Sequence, residues 1–190
     1  MTFREQLFTE FRPYAELSGG QLQILEQHYE LLARWNRKLN LTRIEDISEA
    51  VRFHYCESLF LGLQLTAGTH RIADVGSGAG FPGFPVAVLR PDLDMTLIES
   101  DQRKAVFLRE ATHSVRNIRV LAVRAEVCEE RFDCVISRAV SPKEVLAAKL
   151  ASSYALLVAA SDAPPRSQII SVPWGERRVI ARASNVSRET

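Results

Sequence analysis

A chain of 190 residues with 46% hydrophobic and 25% charged side chains can bury a sizeable core, and its length suits one domain with an extension better than two full domains. Lys and Arg total 24 against 23 for Asp and Glu, a balance that excludes coating nucleic acid through bulk charge but leaves room for a local basic face. Cys56, Cys128 and Cys134 are too few and too scattered for a disulfide framework or a Cys-x-x-Cys metal site, so no metal is expected. The opening Met-Thr-Phe-Arg-Glu-Gln is charged and no apolar run approaches membrane-spanning length, so a cytoplasmic location is expected. On that expectation the glycosylation triplets Asn40-Leu41-Thr42 and Asn185-Val186-Ser187 are chance matches.

The first seventy residues are patterned as helix. Ser18 is a plausible N-cap, followed by Leu22, Leu25, Tyr29, Leu32, Trp35 and Leu39 at three- and four-residue steps. A further helical pattern runs from about Asp46 to Leu63, and Gly68 ends the region. The period then changes. Arg71 to Val75 reads as a buried strand entering a glycine-rich loop, after which Pro82 and Pro85 mark the first turn of a helix. Asp94 to Glu99 is a second strand, and Ser100 or Asp101 caps the helix that follows. Ile118 to Val123 and Phe132 to Ser137 are the third and fourth strands. A helix from Pro142 to about Leu150 and a strand from Tyr154 to Ala160 complete the alternation, which indicates a parallel sheet covered on both faces. Gln168 to Val172 and Arg178 to Ala183, separated by Pro173-Trp174-Gly175, suggest a closing hairpin.

Chemistry concentrates in Asp74-Val-Gly76-Ser-Gly78-Ala-Gly80-Phe81-Pro-Gly83. Glycines let the backbone turn sharply beside a ligand, and the next helix offers free N–H groups. Dinucleotide enzymes space these glycines as Gly-x-Gly-x-x-Gly. Here the third arrives one residue early, at Gly80, and Phe81 fills its expected place. Asp74 would repel a pyrophosphate but would favour an ammonium-bearing ligand such as S-adenosylmethionine. Glu99, at the carboxyl end of the second strand, lies about where an acid meets ribose hydroxyls in doubly wound nucleotide sites, although it could simply cap the strand or pair with Arg103. Arg124-Ala125-Glu126 follows the third strand and Ser137-Arg138-Ala139 the fourth, so both point toward the cleft where open α/β sheets bind ligands. Each could also be a solvated surface charge.

Together these residues resemble the bacterial glucose-inhibited division protein B family, methyltransferases that modify a guanine N7 in small-subunit ribosomal RNA. The resemblance covers about Leu31 to Leu146 and includes Asn40-Leu41-Thr42, Arg52 to Ser58 with His54, Asp74 to Pro85, Arg90-Pro91, Phe107-Leu108 and Phe132 to Val140. It implies an α/β fold: a doubly wound, Rossmann-like methyltransferase sheet with an N-terminal helical extension over residues 1–68, a cofactor-binding domain over 69–190 and a C-terminal antiparallel hairpin. It also implies S-adenosylmethionine as cofactor, with Gly76, Phe81, Ala125, Glu126 and Arg138 lining its site and Glu99 holding the ribose. Asp74, Gly78 and Gly80 complete the expected cofactor set. Asn40, Arg124 and Arg138 would contact RNA, and His54 and Arg138 would position the reacting groups. The implied partner is 16S ribosomal RNA or the small subunit, acted on by a monomer.

Three departures stand out. Glu57 occupies a position where the family usually has Asp, Ala159-Ala160-Ser161-Asp162 stands where a Lys-Gly pair is usual, and the Pro-Gly-Gly-like turn before that strand is missing. Guanine N7 carries an in-plane lone pair and no proton, so no general base is expected. The sequence also lacks the Asp/Asn-Pro-Pro-Tyr/Phe loop of many amino-group methyltransferases. Arg103, Lys104, Arg109, Arg116, Arg119, Arg124 and Arg138 could form a basic face for RNA or be solvated helix charges. A small-molecule methyltransferase, a nicotinamide dehydrogenase and a non-catalytic cofactor-binding relative stay open as rivals.

Overall fold

The computed structural model describes residues 1–44, 46–175 and 178–184. The Asn185 triplet lies outside them. Two helices, α1 (Phe3–Phe11) and α2 (Gly19–Leu39), open the chain, each started by a capping box: Thr2 with Glu5, and Ser18 with Gln21. These reciprocal bonds satisfy the free N–H groups of a first turn. Leu22, Leu25, His28, Leu31 and Leu32 form the buried stripe of α2, with Tyr29 only half-buried.

The helical pattern after Asp46 is continuous but not uniform: α3 (Ile47–Ala50) passes into a π-helical segment (Val51–Cys56) and then α4 (Glu57–Leu63). The wide π turn, invisible to a periodicity reading, carries His54 and Tyr55.

The sheet has seven strands in the order β3-β2-β1-β4-β5-β7-β6. These are β1 (Arg71–Val75), β2 (Asp94–Ile98), β3 (Ile118–Leu121), β4 (Cys134–Arg138), β5 (Ser153–Ala159), β6 (Gln168–Ser171) and β7 (Arg178–Ala183). The first five run parallel, and β7 pairs antiparallel with both β5 and β6. Between them stand α5 (Gly83–Leu89), α6 (Gln102–Ala111) and α7 (Pro142–Ala147). Sheet and hairpin are as expected, with strand ends differing by one or two residues.

One apolar cluster, running from Phe3 and Phe11 through Leu59, Ile72 and Leu97 to Ile180, joins the opening helices to the sheet. The hairpin turn is tied in as well: Trp174 donates to Glu10 at 3.1 Å and packs against Tyr14 at 4.9 Å between centroids. Chain order reverses at β1, which has β2 on one side and β4 on the other. Doubly wound sheets open a crevice at the carboxyl ends of strands at such a point.

Candidate active site

The crevice is built around the loop leaving β1. Gly76, Gly78 and Gly80 have φ values of 70°, 57° and 91°, a left-handed region that side-chain-bearing residues rarely occupy. A Cβ at Gly76 would collide with Val140 from the β4 loop. Backbone bonds from Gly76 and Ser77 to the Ile98 carbonyl pin the loop to the end of β2. Ser137 donates to the Val75 carbonyl at 2.7 Å, bracing β4 against the same turn.

Glu99, almost fully buried, lies where expected. Its Oε2 accepts the Gly78 N–H at 2.8 Å and its Oε1 accepts the Asp101 N–H at 2.8 Å. It does not pair with Arg103, whose partner is Asp101 at 3.8 Å, and Asp101, not Ser100, caps α6. Glu99, Gly76, Gly78, Phe81 and Arg138 line a cavity of about 400 Å³, together with Lys104 and Thr42. An adjoining hollow of about 180 Å³ is lined by Arg124, Ala125 and Glu126 and shares Gly76, Ser100 and Val140 with the first. The two triplets after β3 and β4 therefore do meet at one cleft.

Arg138 stands on the border with a larger cavity of about 740 Å³, whose walls include Arg43, Ser141, Asp162 and Arg178. Its guanidinium donates to the Phe53 carbonyl at 2.6 Å and lies 5.1 Å from the Phe81 ring centroid. Burial, then the charge of Arg178, pulls its pKa down to about 10, with Glu57 and Asp74 opposing, so it remains a cation at neutral pH. His54 lines both cavities and stacks on Phe81 at 4.6 Å. Its Nε2 is 2.7 Å from Thr42 Oγ1, which itself accepts the Ile44 N–H. Burial, with Arg138 and Arg178 nearby, lowers its pKa to about 2. His54 is therefore neutral at physiological pH.

Three expected residues are placed elsewhere. Asp74 is fully buried behind the loop and accepts the Gly83 N–H at 2.9 Å, leaving Oδ1 without a partner. Its side chain lies on the pleat face covered by α5 and lines none of the three cavities just described. Burial raises its pKa to about 7. Gly80 faces His28 and Phe84, not the cleft. Asn40 is the left-handed C-cap of α2, with φ of 48°, and it too is absent from those cavity walls.

Two features escaped sequence reasoning. Arg178 on β7 bonds to Glu57 on α4 at 2.8 Å, beside Arg138, and Glu57 is only 1% exposed. No local pattern foretells a pair 121 residues apart. The other feature is His28, buried in the α2 stripe. Its spacing from Leu25 and Leu32 is the helical one and was a usable signal.

Comparison with known proteins agrees with this architecture. Residues 21–157 match the family described as rRNA small subunit methyltransferase G. Ribosomal RNA small subunit methyltransferase G of Chromobacterium violaceum is 40% identical over 130 residues, 66% of this chain and 62% of that protein. Its namesake in Xanthomonas campestris is 37% identical over 163 residues, 80% of this chain and 74% of that protein. The chain thus spans under two thirds of the Chromobacterium relative. In fold it is similar to a SAM-dependent methyltransferase from Aquifex aeolicus, with a TM-score of 0.56 at 14% identity over 75% of this chain and 96% of that one. A SAM-dependent O-methyltransferase from Thermotoga maritima gives 0.56 at 13% identity over 84% and 73%. Among the described residues, no helix is long and apolar enough to cross a membrane.

Proposed function

The chain belongs to the rRNA small subunit methyltransferase G family, and on that premise we propose that it transfers a methyl group from S-adenosylmethionine to the N7 of a guanine in 16S ribosomal RNA. The observation that carries this reading is that Glu99 and Arg138 line one cavity over the glycine loop, while Arg138 also lines the larger cavity beside it. One cavity suits a nucleoside cofactor and the other an incoming base, with a fixed cation between them.

The residues fit that cofactor. Each Glu99 oxygen holds a single N–H, and a carboxylate oxygen can accept a second donor, so both ribose hydroxyls can be bound without disturbing the loop. The glycine turn lets backbone approach closely. Ala125 and Glu126 form the far wall for an adenine, and Lys104 and Arg138 supply cations for a carboxylate. When bound, the sulfonium supplies an already activated methyl group, so the protein's contribution is orientation and exclusion of water. Phe81, stacked with His54 and in cation–π contact with Arg138, gives the cavity an apolar wall. His54 and Arg138 act by position: neither releases or takes a proton at neutral pH.

Residues 1–68 are assigned as the helical extension and 69–190 as the cofactor domain, working as a cytoplasmic monomer on 16S RNA or the small subunit. Arg43, Arg124 and Arg138 offer contacts for phosphates and the target base, and Asn40 directly precedes Leu41, Thr42 and Arg43, which line these cavities. Arg119 contributes less, because Glu130 holds it at 2.8 Å. Labelled methyl transfer to small subunits lacking the modification tests the reading, with product analysis placing the methyl on N7. Binding should weaken steeply with salt as phosphate counterions are released. A flat salt series with intact cofactor binding would favour a small-molecule acceptor.

A further inference from the structure

His28, on α2, joins the opening helices to the glycine loop. Its Nε2 lies 3.0 Å from the Ala79 carbonyl oxygen, and its Nδ1 lies 2.7 Å from the Tyr55 hydroxyl on the π-helical segment. A carbonyl only accepts, so Nε2 must carry the proton, and Nδ1 then accepts from the Tyr55 O–H. Every polar atom of this buried chain is thereby satisfied, with one tautomer and one direction. Its rings are equally constrained. His28 stacks on Phe84 at 4.2 Å and meets Phe81 edge-on at 5.3 Å, and Tyr55 meets Phe81 edge-on at 5.1 Å. Ala79 and Phe81 both line the cavity assigned to the cofactor, whereas His28 and Tyr55 do not.

We propose that His28 and Tyr55 are positioning residues for the cofactor loop, a neutral relay that holds the Ala79 peptide and the Phe81 ring in binding geometry from behind. The assignment of the ligand as S-adenosylmethionine rests on the function proposed above; the ordering of the loop does not. Burial lowers the pKa of His28 to about 3, so the imidazole is neutral at physiological pH. The Ala79 carbonyl is bonded to His28, which lies outside the cavity lining, and a loop with three positive-φ glycines has little stiffness of its own. A donor supplied from α2 compensates for that freedom, and the rigid element lies outside the segment it orders.

The test compares the full chain with His28→Phe/Tyr55→Phe, which keeps both rings and removes both polar groups, and with His28→Gln, whose amide N–H can reach the same carbonyl. Calorimetry with S-adenosylhomocysteine should show about tenfold weaker binding for the double variant, since an unsatisfied buried acceptor loosens the loop that the ligand must order. His28→Gln should recover most of that affinity, and the KM for RNA should not change in either. Amide hydrogen exchange on ligand-free protein should be faster over residues 76–83 in the double variant and unchanged in the β6–β7 hairpin. Equal affinity and equal loop exchange in a folded double variant would overturn the inference. Were the parent chain to bind no S-adenosylhomocysteine, the proposed function would fail, and the exchange data would still decide the relay. If the double variant does not fold, His28→Phe alone, which takes the donor away from the Ala79 carbonyl, carries both comparisons.

Discussion

Glu99 accepts the N–H of Gly78 through one carboxylate oxygen and that of Asp101 through the other, each at 2.8 Å. A single side chain at the end of β2 thus ties the loop after β1 to the start of α6, and it also lines the cavity beside that loop. On the proposed function, cofactor binding and loop architecture are coupled at this residue. Glu99→Ala should weaken S-adenosylhomocysteine roughly ten- to a hundredfold, from losing charge-assisted bonds of about 1.5–3 kcal/mol. It should also lower stability by about 1–2 kcal/mol, because the Gly78 and Asp101 N–H groups lose their acceptor. Calorimetry beside a denaturant melt separates the two effects, and unchanged affinity in a folded variant would remove Glu99 from the site.

The Glu57–Arg178 pair gives a stability prediction. Glu57 is 1% and Arg178 34% exposed, so truncating the arginine strands a buried carboxylate. Breaking a fully buried pair costs about 3–5 kcal/mol; partial exposure of Arg178 brings the expected loss for Arg178→Ala to about 2–3 kcal/mol. Burial already raises the Glu57 pKa against the lowering pull of Arg178 and Arg138. Without Arg178 the carboxyl takes up a proton more readily, so the deficit should shrink as pH falls toward 4.5, the group's ordinary value. A deficit that grows on acidification would contradict this account. Replacing both partners by apolar residues of similar volume should restore most of the stability.

Asp74 titrates in an unusual window. Burial, opposed by the Gly83 N–H and Ser77, raises its pKa from 3.8 to about 7 in the folded protein. Between those values the unfolded chain has released this proton and the native state still holds it. Fewer protons bound in the unfolded state mean that stability falls as pH rises, by an amount that reaches a few kcal/mol above pH 7. Asp74→Asn keeps an acceptor for Gly83 and removes the titration. Its melting temperature relative to the parent chain should therefore climb from pH 4 to pH 7 and then level off. A constant difference across that range would show that Asp74 is not the group responsible.

Much of this molecule was legible beforehand because its elements follow from local rules. Ser18 and Gln21 form a capping box, strands alternate with helices, and the glycine spacing separates this loop from a dinucleotide turn. The place of Glu99, at the strand end beside the glycine loop, was legible for the same reason. Asp74 was not, because sequence gives proximity to a loop but not the side of the sheet on which a carboxylate ends up. His54 and Arg138 are legible as residues, yet their contacts depend on the π turn, which presents the Phe53 carbonyl to the Arg138 guanidinium. The relay from His28 and the pair between Glu57 and Arg178 link elements far apart in the chain, and only the packed fold brings them together.

The pH dependence of the chemical step discriminates most sharply among acceptor atoms. At the border of the two cavities stand His54, whose pKa burial lowers to about 2, and Arg138, whose pKa burial lowers only to about 10. Between roughly pH 6 and 8.5 neither changes charge to a useful extent. Asp74 does titrate there, but it lies behind the loop, away from the cavity that would hold the reacting atoms. Methylation of guanine N7 requires no proton to leave the base. The single-turnover rate at saturating cofactor and RNA should thus be nearly flat over that interval. Arg138→Ala should reduce the rate or weaken ligand binding without introducing a slope, since a fixed cation has been lost and not a base. Attack by an exocyclic amine or a ribose hydroxyl would need a proton acceptor and would produce a rising or bell-shaped profile. A profile of that shape, or a labelled methyl found on such a group, would refute N7 as the acceptor and leave the cofactor assignment standing.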